Sequence, residues 1–225
     1  ISIGILFIIP LMTFTGKSPQ NSHLRLAILL LAAGEGSRLG GHPKALLKKD
    51  GRALLRSFMT CVQEMAPVEL VIVTGFYAKA IEAEIESCQI LNLPIQVIRN
   101  FNPETGQASS VRLGLEALKS EYDVLLVALS DQPNIGSSEI GMLLEQFDHR
   151  DTIEEIVMPQ VNGQRGNPVL FSKKAVEDIL LIPGMVCRPY MDQHPAKIKI
   201  YDTDSTAFIL DVDTEEDIQK LGITR

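Results

Sequence analysis

Apolar residues fall into two recurring patterns along this chain. Residues 26–32 form a continuous apolar run, as expected of a strand covered on both faces. Leu54, Leu55, Phe58, Met59, Val62 and Met65 follow, spaced by three and four as on one face of a helix. The alternation then repeats. Residues 70–74, 95–98 and 124–129 read as further buried strands. Residues 77–87, the group Val111, Leu115, Leu118 and the group Ile140, Leu143, Leu144, Phe147 read as helices between and after them. Shorter strand signals follow at 156–159, 169–171, 198–201 and 208–212, with a helix after Ser172 and a last helix from Thr214. This alternation predicts an α/β fold: three layers, Rossmann-like, with a mainly parallel mixed sheet. Ligands of such sheets bind at the carboxyl ends of the strands, so the residues after each strand are where chemistry is to be sought.

The stretch from Ile1 to Phe14 is almost wholly apolar and stands outside this alternation. It is shorter than the roughly 20 residues of a bilayer-spanning helix. It also lacks the preceding basic residues and the following small-x-small site of a secretory signal. Residues 1–22 are therefore read as an extension outside the fold, residues 23–225 as a single domain, and no membrane association is expected. The 225 residues are enough for a full α/β core. Cys61, Cys88 and Cys187 have no metal-ligand spacing and point to a reducing compartment, the cytoplasm. A net charge of -7 argues against a nucleic-acid polymer as partner, because phosphate neutralisation supplies most of that affinity. It leaves room for one nucleotide in a local basic pocket.

The densest chemistry follows the first strand: Leu31, Ala32, Ala33, Gly34, Glu35, Gly36, Ser37, Arg38, Leu39, Gly40, Gly41, His42, Pro43, Lys44. A dinucleotide fingerprint would need its third glycine one place earlier, and a P-loop would need Lys where His42 stands. The remaining reading is a long glycine loop whose backbone N–H groups wrap a triphosphate, with Arg38 and Lys44 neutralising it. Asp131 directly follows the most apolar strand, a fitting place for a Mg²⁺ ligand. Asp211 and Asp213 are two apart and would share one face of a strand. Thr214 and Asp217 are spaced as a helix-capping box, which makes Glu215, Glu216 and Asp217 helix-start acids rather than ligands. Ser109 and Ser110 lie near a helix start after Gly106, where base or ribose contact and plain capping are both open.

Taken together, these segments resemble the nucleotidyltransferase family of molybdenum cofactor cytidylyltransferase and molybdopterin-guanine-dinucleotide synthase. The glycine loop is similar to that family's L-A-(A/G)-G-x-x-x-R-(L/M)-G-x-x-K signature. Val73-Thr-Gly75 closes the second strand, and Asn102 to Leu115, Leu129 to Pro133, Gly163 to Phe171 and Asp211 to Asp217 resemble further family segments in family order. Two positions depart from the pattern: Ser130 replaces a glycine, and Asn167 replaces a histidine in the acceptor half.

The resemblance implies transfer of CMP from CTP to the phosphate of a molybdopterin-type molybdenum cofactor, with release of pyrophosphate. It implies Mg²⁺ as cofactor, held by Asp131 and Asp213, and a molybdoenzyme as possible client. Arg38, Lys44 and Asp131 are the expected catalytic residues. Nucleotide contacts are expected from residues 31–38, Lys44, Gly75, Gly106, Ser109 and Ser110, and acceptor contacts from Arg165, Asn167, Arg188 and His194. The alternatives are a sugar-phosphate or other small-phosphate nucleotidyltransferase, a non-catalytic carrier of the cofactor, and a dinucleotide-binding oxidoreductase.

Overall fold

A computed structural model of the chain describes residues 24–88 and 93–225; the 1–22 extension lies outside them. In chain order its elements are β1 (Leu26–Ala32), β2 (Lys48–Lys49), β3 (Arg52–Ala53), α1 (Leu54–Gln63), β4 (Glu69–Thr74), α2 (Ala78–Ser87), β5 (Ile95–Arg99), α3 (Gln107–Ala117) and β6 (Val124–Leu129). They continue with α4 (Ser137–Asp148), β7 (Ile156–Val161), β8 (Gln164–Arg165), β9 (Val169–Ser172), α5 (Lys173–Leu181), α6 (Cys187–Gln193), β10 (Ile198–Asp202), α7 (Glu215–Lys220) and β11 (Ile223–Thr224).

The main sheet has eight strands in the order β10-β7-β9-β6-β1-β4-β5, with β8 beside β7. β1 pairs in parallel with β4 and β6, and β4 with β5, while β9 runs antiparallel to β6 and β7. β1 is thus central, and its residues serve both faces alternately. Ile28 and Leu30 pack with α1, α2 and α4 side chains such as Phe58, Ile81 and Phe147. Leu29 and Leu31 pack on the other face with Leu115 of α3, Ile179 of α5 and Met191 of α6. This two-sided burial explains the unbroken apolar run. Helix α3 sits close on β1 because Gly114 leaves room for it: a Cβ there would lie 2.3 Å from Leu29 Cδ1.

A third, smaller core of Leu39, Leu47, Leu54, Val212, Ile218 and Ile223 lies outside the main sheet. It ties the glycine loop and the three-stranded sheet β11-β2-β3 to the segment carrying Asp211 and Asp213. Residues 208–212 do not form the expected strand. Thr206–Ile209 is a 3₁₀ turn, within which Phe208 O accepts from Asn167 N at 2.8 Å, and beyond it Val212 N donates to Asp131 O at 3.0 Å. The Thr214–Asp217 capping box does form, with reciprocal bonds of 3.2 and 2.8 Å. Among the described residues, no helix is long and apolar enough to cross a membrane.

Candidate active site

The carboxyl ends of β1, β4 and β6 open into a cleft of about 430 Å³. Residues 31–38 line it together with Lys44, Gly106, Ser110, Asp131, Asp211 and Asp213. The glycines set the loop's path. Gly36, Gly40 and Gly41 all have positive φ, where side chains are strained. At Gly36 a Cβ would also lie 2.2 Å from His42 O. Tyr77 Oη donates to Gly41 O, fastening the loop to the end of β4.

Lys44 is the centre of the charge arrangement. Its ammonium donates to Asp131 Oδ2 at 2.9 Å and to Asp213 Oδ1, while Arg38 lies 3.2 Å from Asp213 Oδ2. Burial works against the Lys44 charge. The neighbouring Asp131 and Asp213 outweigh it and raise the pKa, so the side chain is a fixed cation at neutral pH. Asp211 is a further carboxylate of the cleft, close to Asp131. Burial, and then the charge of Asp131, push its carboxyl up to about 6. Its Oδ1 is buried with no hydrogen-bond partner.

This donor set suits a hard divalent cation. Asp131 and Asp213 converge on one ammonium, so both reach one point, and the buried Asp211 oxygen beside them is unsatisfied. Among the described residues no three His, Cys, Asp or Glu form a ready-made cage. Mg²⁺ asks for no such cage, since it keeps several waters and uses one or two carboxylates plus substrate phosphates.

The other nucleotide-side residues occupy different ranks. Ser110 lines the cleft, whereas Gly75 and Ser109 do not. The buried Asn100 organises this wall, donating to Ser109 Oγ at 2.8 Å and Ser110 Oγ at 2.9 Å. Motif reading did not assign Asn100, Phe76, Ile81, Pro103 or Gln107, although the last four line the cleft. Phe76, Pro103 and Gln107 lie within or beside a quoted motif, but the sequence alone gives none of them a role.

A second cleft of about 390 Å³ adjoins the first, sharing Leu31, Gln107 and Leu129. Val111, Val127, Met158, Phe171 and Met191 make it largely apolar, and Arg165, Asn167 and Arg188 bring polar groups to it. Arg165 is paired with Asp192 at 2.5 Å. His194 does not line this cleft. It stacks on Tyr190 with ring centroids 4.3 Å apart, and its Nδ1 lies 2.9 Å from Tyr190 O at the end of α6. Cys187 borders the cleft, but burial pushes its thiol up to about 12, so it is not a nucleophile.

A parallel α/β sheet with a glycine loop, a fixed lysine and paired carboxylates at its carboxyl edge defines a phosphate-handling enzyme. Residues 28–193 match the family model of the MobA-like NTP transferase domain, and the chain belongs to that family. It is a nucleotidyltransferase enzyme. Nicotine blue oxidoreductase from Paenarthrobacter nicotinovorans is 31% identical over 208 residues, 86% of this chain and 94% of that protein. The bifunctional protein GlmU of Mycobacterium ulcerans is 31% identical over 137 residues, 60% of this chain and 26% of GlmU. Rv0371c from Mycobacterium tuberculosis shares the fold, with a TM-score of 0.69 at 20% identity over 88% of this chain and 97% of that one. The same mycobacterial protein also has a structure in complex with manganese. The 4-diphosphocytidyl-2C-methyl-D-erythritol synthase of Anaerococcus prevotii superposes with a TM-score of 0.66 at 15% identity, over 87% and 93% of the two chains.

Proposed function

We propose that this enzyme transfers CMP from CTP to the terminal phosphate of a molybdopterin-type molybdenum cofactor in the cytoplasm. The observation that carries the reading is Lys44 held between Asp131 and Asp213 at the end of a glycine loop. That is a site for a triphosphate and a divalent ion, in one cleft. The adjoining apolar cleft, with Arg165 and Arg188 at hand, suits a flat ring system carrying an anionic group. The choice of CTP over GTP rests on the resemblance of Ala32-Ala33-Gly34 to cytidylyl-transferring members.

The chain's own groups have little covalent work in this reaction. A phosphate monoester has a second pKa near 6, so it is already a nucleophile at neutral pH and no general base is needed. A bond forms from its oxygen to the α-phosphorus, the α–β bridging bond breaks, and pyrophosphate leaves. Lys44 and Arg38 hold the triphosphate and offset its charge, and the loop N–H groups fix its position. In exchange, both cations loosen their hold on Asp213. Asp131 and Asp213 would hold Mg²⁺, which supplies charge neutralisation on the phosphate oxygens.

The test is pyrophosphate release from a panel of NTPs against candidate acceptors. The expected result is release with CTP and molybdopterin-type cofactor at a higher kcat/KM than with GTP. A higher value for GTP overturns the nucleotide, and release only with sugar phosphates overturns the acceptor. A second reading, a dinucleotide-dependent oxidoreductase, is favoured by the coverage of the nicotine blue oxidoreductase relative. Consumption of NADH or NADPH without pyrophosphate release would establish it.

A further inference from the structure

Phe76 is 41% exposed although it lines the nucleotide cleft. Open aromatic surface is costly in water, and a ring in a cleft gains most from a flat partner. Among the described residues no aromatic ring stacks on it. Its backbone is held on both sides. Gly75 is pressed between loops, so that a Cβ there would lie 2.7 Å from Ala33 O and 2.9 Å from Pro103 Cβ. On the other side, Tyr77 is hydrogen-bonded to Gly41 O. The segment is therefore fixed to the glycine loop while the Phe76 ring itself is uncovered.

The strand order gives a direction. Phe76 follows β4 and Asp131 follows β6, with β1 and its glycine loop between them. Strands lie about 4.8 Å apart, so the two exits are about 10 Å apart, on opposite sides of the loop. A triphosphate reaching Lys44 and Asp131 leaves the β4 side of the cleft to the rest of the nucleotide.

We infer that Phe76 is the platform on which the nucleotide base stacks. This rests on the nucleotidyl-transfer reading and adds the group that grips the base. Stacking tolerates every base, so Phe76 supplies affinity for NTP rather than choice among NTPs.

The chain contains no tryptophan, so Phe76→Trp introduces a single fluorescent reporter. Its emission should be quenched by CTP and hardly at all by inorganic tripolyphosphate, which has no base. By calorimetry, Phe76→Ala should weaken CTP about tenfold, a typical stacking loss, and leave tripolyphosphate unchanged. Phe101→Ala is the control: Phe101 is exposed but outside the cleft, and its loss should move neither. Unaltered CTP affinity in Phe76→Ala, or an unquenched Phe76→Trp that still binds CTP, overturns the stacking role. If wild-type protein binds CTP but not tripolyphosphate, the phosphate role of the glycine loop is overturned instead, and Phe76 is judged on CTP alone. If it binds neither, both readings go.

Discussion

At the scale of single residues, the site is a balance of charge that substrate binding must rearrange. Lys44 is the only cation in direct contact with both Asp131 and Asp213 among the described residues, and the half-buried Asp211 stands beside them. Removing Lys44 leaves Asp131 and Asp211 without a counter-charge and Asp213 with Arg38 alone, which is costly in a half-buried cleft. Lys44→Ala should therefore lower both Tm and kcat, the latter by about 10²–10³, the usual effect of losing a preorganised charge donor. Adding Asp213→Asn should restore part of the Tm and none of the turnover. A double variant that recovers both would reduce Lys44 to a structural cation. Asp131→Asn and Asp213→Asn should each depress kcat more than CTP affinity, as expected of groups that act on charge growing in the transition state. Near-normal turnover in both at saturating Mg²⁺ would move the metal elsewhere. Loss in Asp131→Asn and Asp211→Asn with normal turnover in Asp213→Asn would make Asp211 the second carboxylate. The motifs made Lys44, Asp131 and Asp213 legible beforehand, because spacing within a loop survives in sequence. Asn100 and Phe76 were not legible, since their roles depend on which strands lie side by side.

At the scale of elements, the central strands are registered at their amino ends. Arg25 donates from its backbone N and its Nε to Asp123 Oδ2 at 2.9 and 3.1 Å, and from its other nitrogen to Oδ1 at 2.8 Å, just before β1 and β6 begin. The Arg25 hydrogen bonds hold the Asp123 carboxyl down at about 2. An acid with a lowered folded pKa adds stability above its unfolded value near 3.8, and that stability fades as pH falls towards 2. The pair is exposed to solvent, so screening keeps this contribution small. Asp123→Asn should be less stable than wild type in denaturant at pH 7, and the gap should close by pH 2. A gap that persists at pH 2 would assign the effect to packing. Element order was the most readable feature of the chain, because continuous apolar runs mark buried parallel strands. What escaped reading was short or long-range. β2 and β3 have two residues each and take their identity from pairing with β11 near the other end of the chain. Helix α6 has seven residues and contains Pro189, which hides its periodicity. Residues 208–212 looked like a strand but have single backbone partners on two different segments, Asn167 and Asp131.

At the scale of the molecule, two clefts meet along one wall. Leu31 at the end of β1, Leu129 at the end of β6 and Gln107 at the start of α3 line both. Helix α3 is therefore shared, presenting Ser110 to the nucleotide side and Ala108 and Val111 to the apolar side. Its position is set from both directions. Gly114 seats it on β1, and Arg112 donates to Ile182 O, Met185 O and Leu180 O at 3.1–3.2 Å, joining it to the turn that leads into α6. On the proposed reading, an acceptor phosphate in the second cleft would adjoin a nucleotide in the first, the arrangement direct displacement requires. The dinucleotide product of the proposed reaction, being both ligands joined, would then occupy both clefts. It should displace labelled CTP and labelled acceptor alike, each with the same apparent Kd for the product, because one bound molecule excludes both. Equilibrium competition measures this without turnover. Displacement of CTP alone would place the acceptor outside the second cleft, and displacement of neither by a product that still binds would separate product release from the site altogether.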